Sequence, residues 1–194
     1  MLAFKATQST LPTSNGGNVM ALHFENLDGG TRALMLEEIA MDVAAGTIYI
    51  SNYLSEIGAI NWPGYLRLAA ESGSDSTLEN TLGNNHCFKQ QVERKKPKGG
   101  YSMVAVPVTA AQTLAESQFN MYYIRALARR AIDENRHLTV YRAKAVENPR
   151  PESERMIGTR LDPLEVLSVL RATRGVESAI NIPMPNSGLT ARLT

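Results

Sequence analysis

Residues 109–135 read TAAQTLAESQFNMYYIRALARRAIDEN, and this stretch decides the fold. No Pro or Gly interrupts it, and Thr109 and Gln112 stand at the spacing of a capping box, so the stretch predicts a helix from about Ala110 to Asn135. Placed at 100° steps, its residues separate into two dissimilar arcs. Leu114, Met121, Ile124, Leu127, Ala128, Ala131 and Ile132 share the arc expected to face the core. The other carries Gln118, Phe119, Tyr122, Tyr123, Arg125, Arg129 and Arg130. Guanidinium groups beside aromatic rings hold phosphates or pack against a partner, which makes Tyr122, Arg125 and Arg129 candidate binding residues. The competing reading lays this arc under another layer, with Arg129 satisfied by Asp133 and Arg130 by Glu134 at i,i+4. Arg125 has only Met121 one turn before it. If that face is exposed, Arg125→Glu harms association more than folding, with a stability loss within roughly 1 kcal/mol.

Upstream of this helix, Asn18–Glu25 reads as a strand, and Asp28-Gly-Gly turns into a helix from about Thr31 to Ala45. Leu36, Ile39, Ala40 and Val43 have the spacing of a buried stripe, which assigns Glu37, Glu38 and Asp42 to a solvated outer face. Thr47–Ser51 reads as a short strand. Pro63 suits the first turn of a helix running to about Ser72, and Ser76 with Glu79 would open another. Residues 85–108 form two extended arms around Glu93-Arg-Lys-Lys-Pro-Lys-Gly-Gly100, which predicts a β-hairpin with a basic tip. Arg94, Lys95, Lys96 and Lys98 at that tip are candidate binding residues for a polyanion, and equally the mark of a protected sheet edge.

Downstream, Leu138–Val146 reads as a strand and Asn148-Pro-Arg-Pro as a loop. Asp162, Pro163 and Glu165 supply an N-cap, a first-position Pro and a third-position acid for a helix that stops at Gly175. Residues 182–194 read as an irregular or extended tail. Together these elements predict one α+β domain over residues 1–194, with a mixed or antiparallel sheet, a long amphipathic central helix and a basic β-hairpin.

Composition narrows the function classes. With 43% hydrophobic and 20% charged residues the chain has ordinary globular usage. Lys5 interrupts the apolar start, so a signal-peptide pattern is missing, and no apolar run is long enough to span a bilayer; the expectation is a cytoplasmic protein without membrane contact. One cysteine excludes an internal disulfide framework. The net charge of +1 conceals a division: residues 1–88 hold three bases and nine acids, residues 89–194 hold 17 bases and 10 acids. If folding preserved it, this division would make complementary poles, suited to another copy or to a polyanion.

No catalytic signature accompanies these features. The dinucleotide, Walker and nucleophile-elbow glycine patterns are missing, and no cofactor or metal is expected from three histidines without ligand spacing. His86 and Cys87 adjoin, yet neighbours in a strand point to opposite faces and make no dyad. The leading expectation is therefore a non-catalytic interaction or structural protein that self-associates, as a homo-oligomer or in a larger assembly, through acidic and basic surfaces. The alternative is a nucleic-acid-binding module using the basic hairpin and the Arg/Tyr face. An enzyme of unknown class comes third, with Glu38, Asp42, His86 and Cys87 as the places to look.

Overall fold

The computed structural model describes residues 21–175 and 187–194, among which six helices and five strands follow one another. Helix α1 (Gly29–Ala44) starts where the Asp28 carboxylate accepts a hydrogen bond from the Thr31 amide at 2.9 Å. Helix α2 (Glu56–Ser72) is capped by Ser55, and α3 (Asp75–Asn84) by Ser74. Strands β1 (Gln91–Lys95) and β2 (Tyr101–Ala105) pair antiparallel as the expected hairpin. Helix α4 (Ala110–Asp133) follows, then β3 (Leu138–Arg142), the short α5 (Pro151–Met156) and β4 (Arg160–Leu161). Helix α6 (Pro163–Thr173) has the anticipated cap, Asp162 accepting from the Glu165 amide at 2.8 Å, and strand β5 (Leu189–Leu193) closes the chain.

The fold is α+β. β3 lies between β4 and β5 in an antiparallel three-stranded sheet, separate from the two-stranded hairpin. Helix α4 is the hub, packed by α1, α3 and α6 and touched by β5. Every residue from Gln118 to Ala128 is buried, so this helix is enclosed on all sides and does not divide into an inner and an outer face. Trp62, Met35, Ile39, Leu66, Leu78, Leu82, Phe119 and Leu127 build the core around it.

Several boundaries differ from the sequence reading, each for a local reason. Thr109 makes no side-chain cap, because its backbone has already turned at φ −85° and ψ 5°, and Gln112 bonds Glu116 instead. Pro63 lies well inside α2, which begins seven residues earlier at the Ser55 cap. The cap of α3 is Ser74, two residues before the expected one. Residues 47–51 form no strand; the Tyr49 carbonyl there accepts the Trp62 indole N–H at 2.9 Å. A helical turn and a half, α5, begins within the expected Pro-rich loop. Of the irregular or extended tail read over 182–194, Leu189–Leu193 take the extended form: they pair with β3 and bury Leu189, Ala191 and Leu193. Residues 182–186, and 18–20 of the expected first strand, lie outside the described residues. Over 21–24 no strand is formed, although the His23 amide bonds the Ala143 carbonyl at 2.9 Å.

Candidate interaction surfaces

The Arg/Tyr arc of α4 is buried from Gln118 to Arg125, and only Arg129 and Arg130 near its end are partly exposed. Arg125 is 0% exposed and Tyr122 is equally enclosed. The Arg125 guanidinium bonds the Glu38 carboxylate at 2.6 Å and the Asp42 carboxylate at 2.6 Å, and lies 5.0 Å from the centre of the Tyr122 ring. The Tyr122 hydroxyl donates to Asp42 at 2.8 Å, and Arg171 of α6 closes on the other Glu38 oxygen at 2.6 Å. Arg129, half-buried, pairs with Glu37 at 2.7 Å and with Glu38, and not with Asp133. Arg130 does bond Glu134 as expected, at 3.0 Å, and also Asp28 at 2.8 Å.

Burial alone would raise the Glu38 and Asp42 pKa values, yet the hydrogen bonds and charge of Arg171 and Arg125 hold Glu38, and those of Arg125 and Tyr122 hold Asp42, below the ordinary carboxylate range. Both therefore stay ionised beside a permanently charged Arg125. The assignment of Glu38 and Asp42 to a solvated face is overturned: a buried cation on α4 attracts them inward. The premise that Arg125 is an exposed residue whose reversal spares the fold falls with it. Arg125 also had a readable signal, since a helix Arg with no acid on its adjoining turn needs one from elsewhere.

The same pairs use up much of the charge division. Glu25, Asp28, Glu37, Glu38 and Asp42 from the acidic part meet Arg192, Arg130, Arg129, Arg125 and Arg171 from the basic part within one chain. Two surfaces are left. The first is the hairpin, where Arg94, Lys95, Lys96 and Lys98 are all exposed and their side chains bond nothing among the described residues. The sequence-predicted site residues are thus divided between an exposed tip and the buried α4 set, and the structure does not bring the two groups together.

The second surface was not anticipated. Turning α1 to place Glu38 and Asp42 inside leaves Leu36, Ala40 and Val43 on the outer arc, beside exposed Met41 and Ala44. Of the expected buried stripe only Ile39 enters the core, joined by Met35. The covered arc of α1 is consequently mixed, with Thr31, Glu38 and Asp42 beside Met35 and Ile39, and its open arc carries Ala40, Met41, Val43 and Ala44 with Leu36 half-buried at its edge. Across from it, α2 exposes Ile57, Ile60 and Leu68. Between the two helices runs a groove of about 600 Å³ lined by Leu36, Ala40, Val43, Ala44, Pro63 and Gly64, with Glu37 and Arg67 at its rim.

The other candidates are less suited to chemistry. His86 is exposed with φ 51° while Cys87 is buried, its thiol pushed up by burial, so the two do not cooperate. Among the described residues no group of three or more His, Cys, Asp or Glu side chains is placed to hold a metal ion. A more polar cleft of about 440 Å³ lies beside the first turns of α4, with Ser51, Tyr53, Thr109, Thr113, Ser117 and Gln118 in its wall. It contains neither a charged group nor a nucleophile with an adjacent base. No helix of the described residues is long and apolar enough to cross a membrane. Compared with known proteins, the chain matches no family model, no curated protein and no solved structure at a significant level.

Proposed function

We propose that this chain is a non-catalytic structural protein that self-associates in the cytoplasm, and that its open α1–α2 face is an assembly surface. One observation carries this reading: α1 buries the charged Glu38 and Asp42 beside Met35 and Ile39 while Met41 and Val43 stay exposed on its open arc. A surface helix of a self-sufficient monomer has the opposite arrangement, because water rewards the polar face and penalises the apolar one. Met41 and Val43 on α1 and Ile57, Ile60 and Leu68 on α2 are exposed large apolar side chains on the two helices that border the groove, the kind of surface that marks a protein interface. Complete burial of one such side chain contributes roughly 1.5–3 kcal/mol, and each is already partly covered. Their sum is comparable with the roughly 4–15 kcal/mol that association costs in lost freedom, so the face is sufficient only with further contacts.

The polar poles read from the sequence contribute less than the apolar face, since their strongest members are paired within the chain. Sedimentation velocity over a wide concentration range tests the reading, with Val43→Glu as the control. The wild type sediments as oligomers, and Val43→Glu, which places a charge on an exposed position, is monomeric with an unchanged melting temperature. A wild type that stays monomeric at high concentration and low salt refutes the proposal.

A second reading has its own supporting observation, the four exposed bases of the hairpin tip, whose side chains have no partner among the described residues. Such a tip holds a nucleic-acid backbone by phosphate contacts whose strength falls steeply with salt. The buried Tyr122 and Arg125 take no part in it. Failure to retain labelled single- or double-stranded DNA or RNA at low ionic strength removes this reading.

A further inference from the structure

We infer that the β1–β2 hairpin of one copy seats in the α1–α2 groove of the next, so that the chain assembles head to tail. This rests on the self-association proposed above and names the occupant of its surface.

The hairpin has what the groove lacks. Tyr101 and Met103 stand on one face of β2, 61% and 60% exposed, a costly placement for large apolar side chains on a projecting ribbon. Their cross-strand partners are Lys95 and Glu93. Among the described residues both outer edges of the ribbon are unpaired, because β1 and β2 join none of the three strands of the other sheet. The groove offers the complement, a floor of small residues, Ala40, Ala44 and Gly64, between the walls of Leu36, Val43 and Pro63.

Gly64 is the most telling of these. It sits inside α2, where glycine weakens a helix by about 1 kcal/mol relative to alanine, yet a Cβ built on it meets nothing within 4 Å. Packing within the chain gives no reason for it, in contrast to Gly58 on the same helix, whose Cβ would strike the Cys87 carbonyl oxygen at 2.1 Å. A side chain arriving from outside does give a reason, since only glycine lets it approach the helix backbone closely.

Charge fits the same register. Among the described residues the side chains of Lys95, Lys96, Lys98 and Arg94 have no partner, and neither do those of the exposed Glu56 and Glu71 that flank the open arc of α2. Arg67 at the rim would repel the tip but suits Glu93 on the hairpin stem. Groove and hairpin are different surfaces, and the lining of the groove contains no residue of its own hairpin. A contact between unlike surfaces of identical copies is heterologous and propagates into a ring or a filament.

Site-directed cross-linking tests this directly. The variants Met103→Cys and Ala40→Cys, the latter on the groove lining and leaving Gly64 in place, are prepared separately and mixed under mild oxidation; Cys87 is buried and does not compete. The expected result is a disulfide-linked dimer of the two variants in the mixture, with little product from either alone. Ala40→Cys linking mainly to itself would mean a symmetric groove-to-groove contact and would overturn the inference while leaving self-association standing. An oligomeric wild type whose mixed variants give no cross-link also overturns it. A monomeric wild type removes the inference and the proposed function together. As a second readout, Lys95→Glu with Lys96→Glu weakens association by more than about tenfold at unchanged melting temperature, and adding Glu56→Lys with Glu71→Lys restores it. Loss without restoration, accompanied by lost retention on RNA, assigns the tip to nucleic acid and overturns the docking.

Discussion

Replacing Arg125 with Met removes the cation from the centre of the molecule while keeping much of its volume. Glu38 then retains Arg171 at 2.6 Å and Arg129 at 3.4 Å, both reaching it from the partly exposed side. Asp42 retains only the hydroxyls of Tyr122 at 2.8 Å and Thr47 at 3.2 Å, with no cation in contact. Removing one member of a buried ion pair typically costs about 3–5 kcal/mol, since the other is left charged in a medium that solvates it poorly. For a chain of this length that corresponds to a melting temperature lower by about 6–20 °C, at roughly 2–4 °C per kcal/mol.

The pH dependence gives a sharper criterion. In the wild type both carboxylates have depressed folded pKa values, so their contribution is present above the unfolded values and is lost as pH falls through the folded ones. In Arg125→Met burial prevails at Asp42 and raises its folded value, so its penalty is largest at neutral pH and is relieved by protonation. Urea titrations at pH 7 and at about pH 4 should therefore show the stability gap between wild type and variant narrowing in acid. The triple variant Arg125→Met, Glu38→Gln, Asp42→Asn, which removes the charges together, should recover part of the loss at neutral pH. A loss within about 1 kcal/mol that is the same at both pH values would refute this account of the core.

Two further expectations concern other parts of the interior. Gly58→Ala would force a methyl group to within 2.1 Å of the Cys87 carbonyl oxygen, at the point where Ser55 anchors the Leu54–Phe88 bridge, and should cost about 1–3 kcal/mol or more by chemical denaturation; a neutral effect would contradict the close approach of α2 to residue 87. Asp75 is buried, accepts the Leu22 amide at 3.0 Å, and has its pKa raised chiefly by desolvation, with the Glu116 charge adding to it. A raised folded value means that Asp75 favours the fold more as pH falls towards its unfolded value, so Asp75→Asn should compare better with the wild type at pH 7 than at about pH 5, and a pH-independent difference between the two urea midpoints would show that Asp75 is not desolvated.

Local chemistry in the sequence determined much of the fold. The uninterrupted run of 109–135, the Asp162-Pro163-Glu165 start of α6 and the Pro/Gly tip between two extended arms each act within a few residues, so helix, cap and hairpin were legible without knowledge of their neighbours. The exposed basic tip was legible for the same reason. Tertiary structure alone decided the rest. The strand Leu189–Leu193 exists because β3 offers it an edge, and no turn signal joins those two segments. The outward side of α1 was not legible because both its arcs could pass for a core face. Glu38 and Asp42 go inside only when Arg125, 87 and 83 residues away, is there to receive them. That pairing turns Leu36, Ala40 and Val43 towards solvent: periodicity specifies that a helix has two faces, while the charge buried opposite it determines which of them the rest of the chain covers.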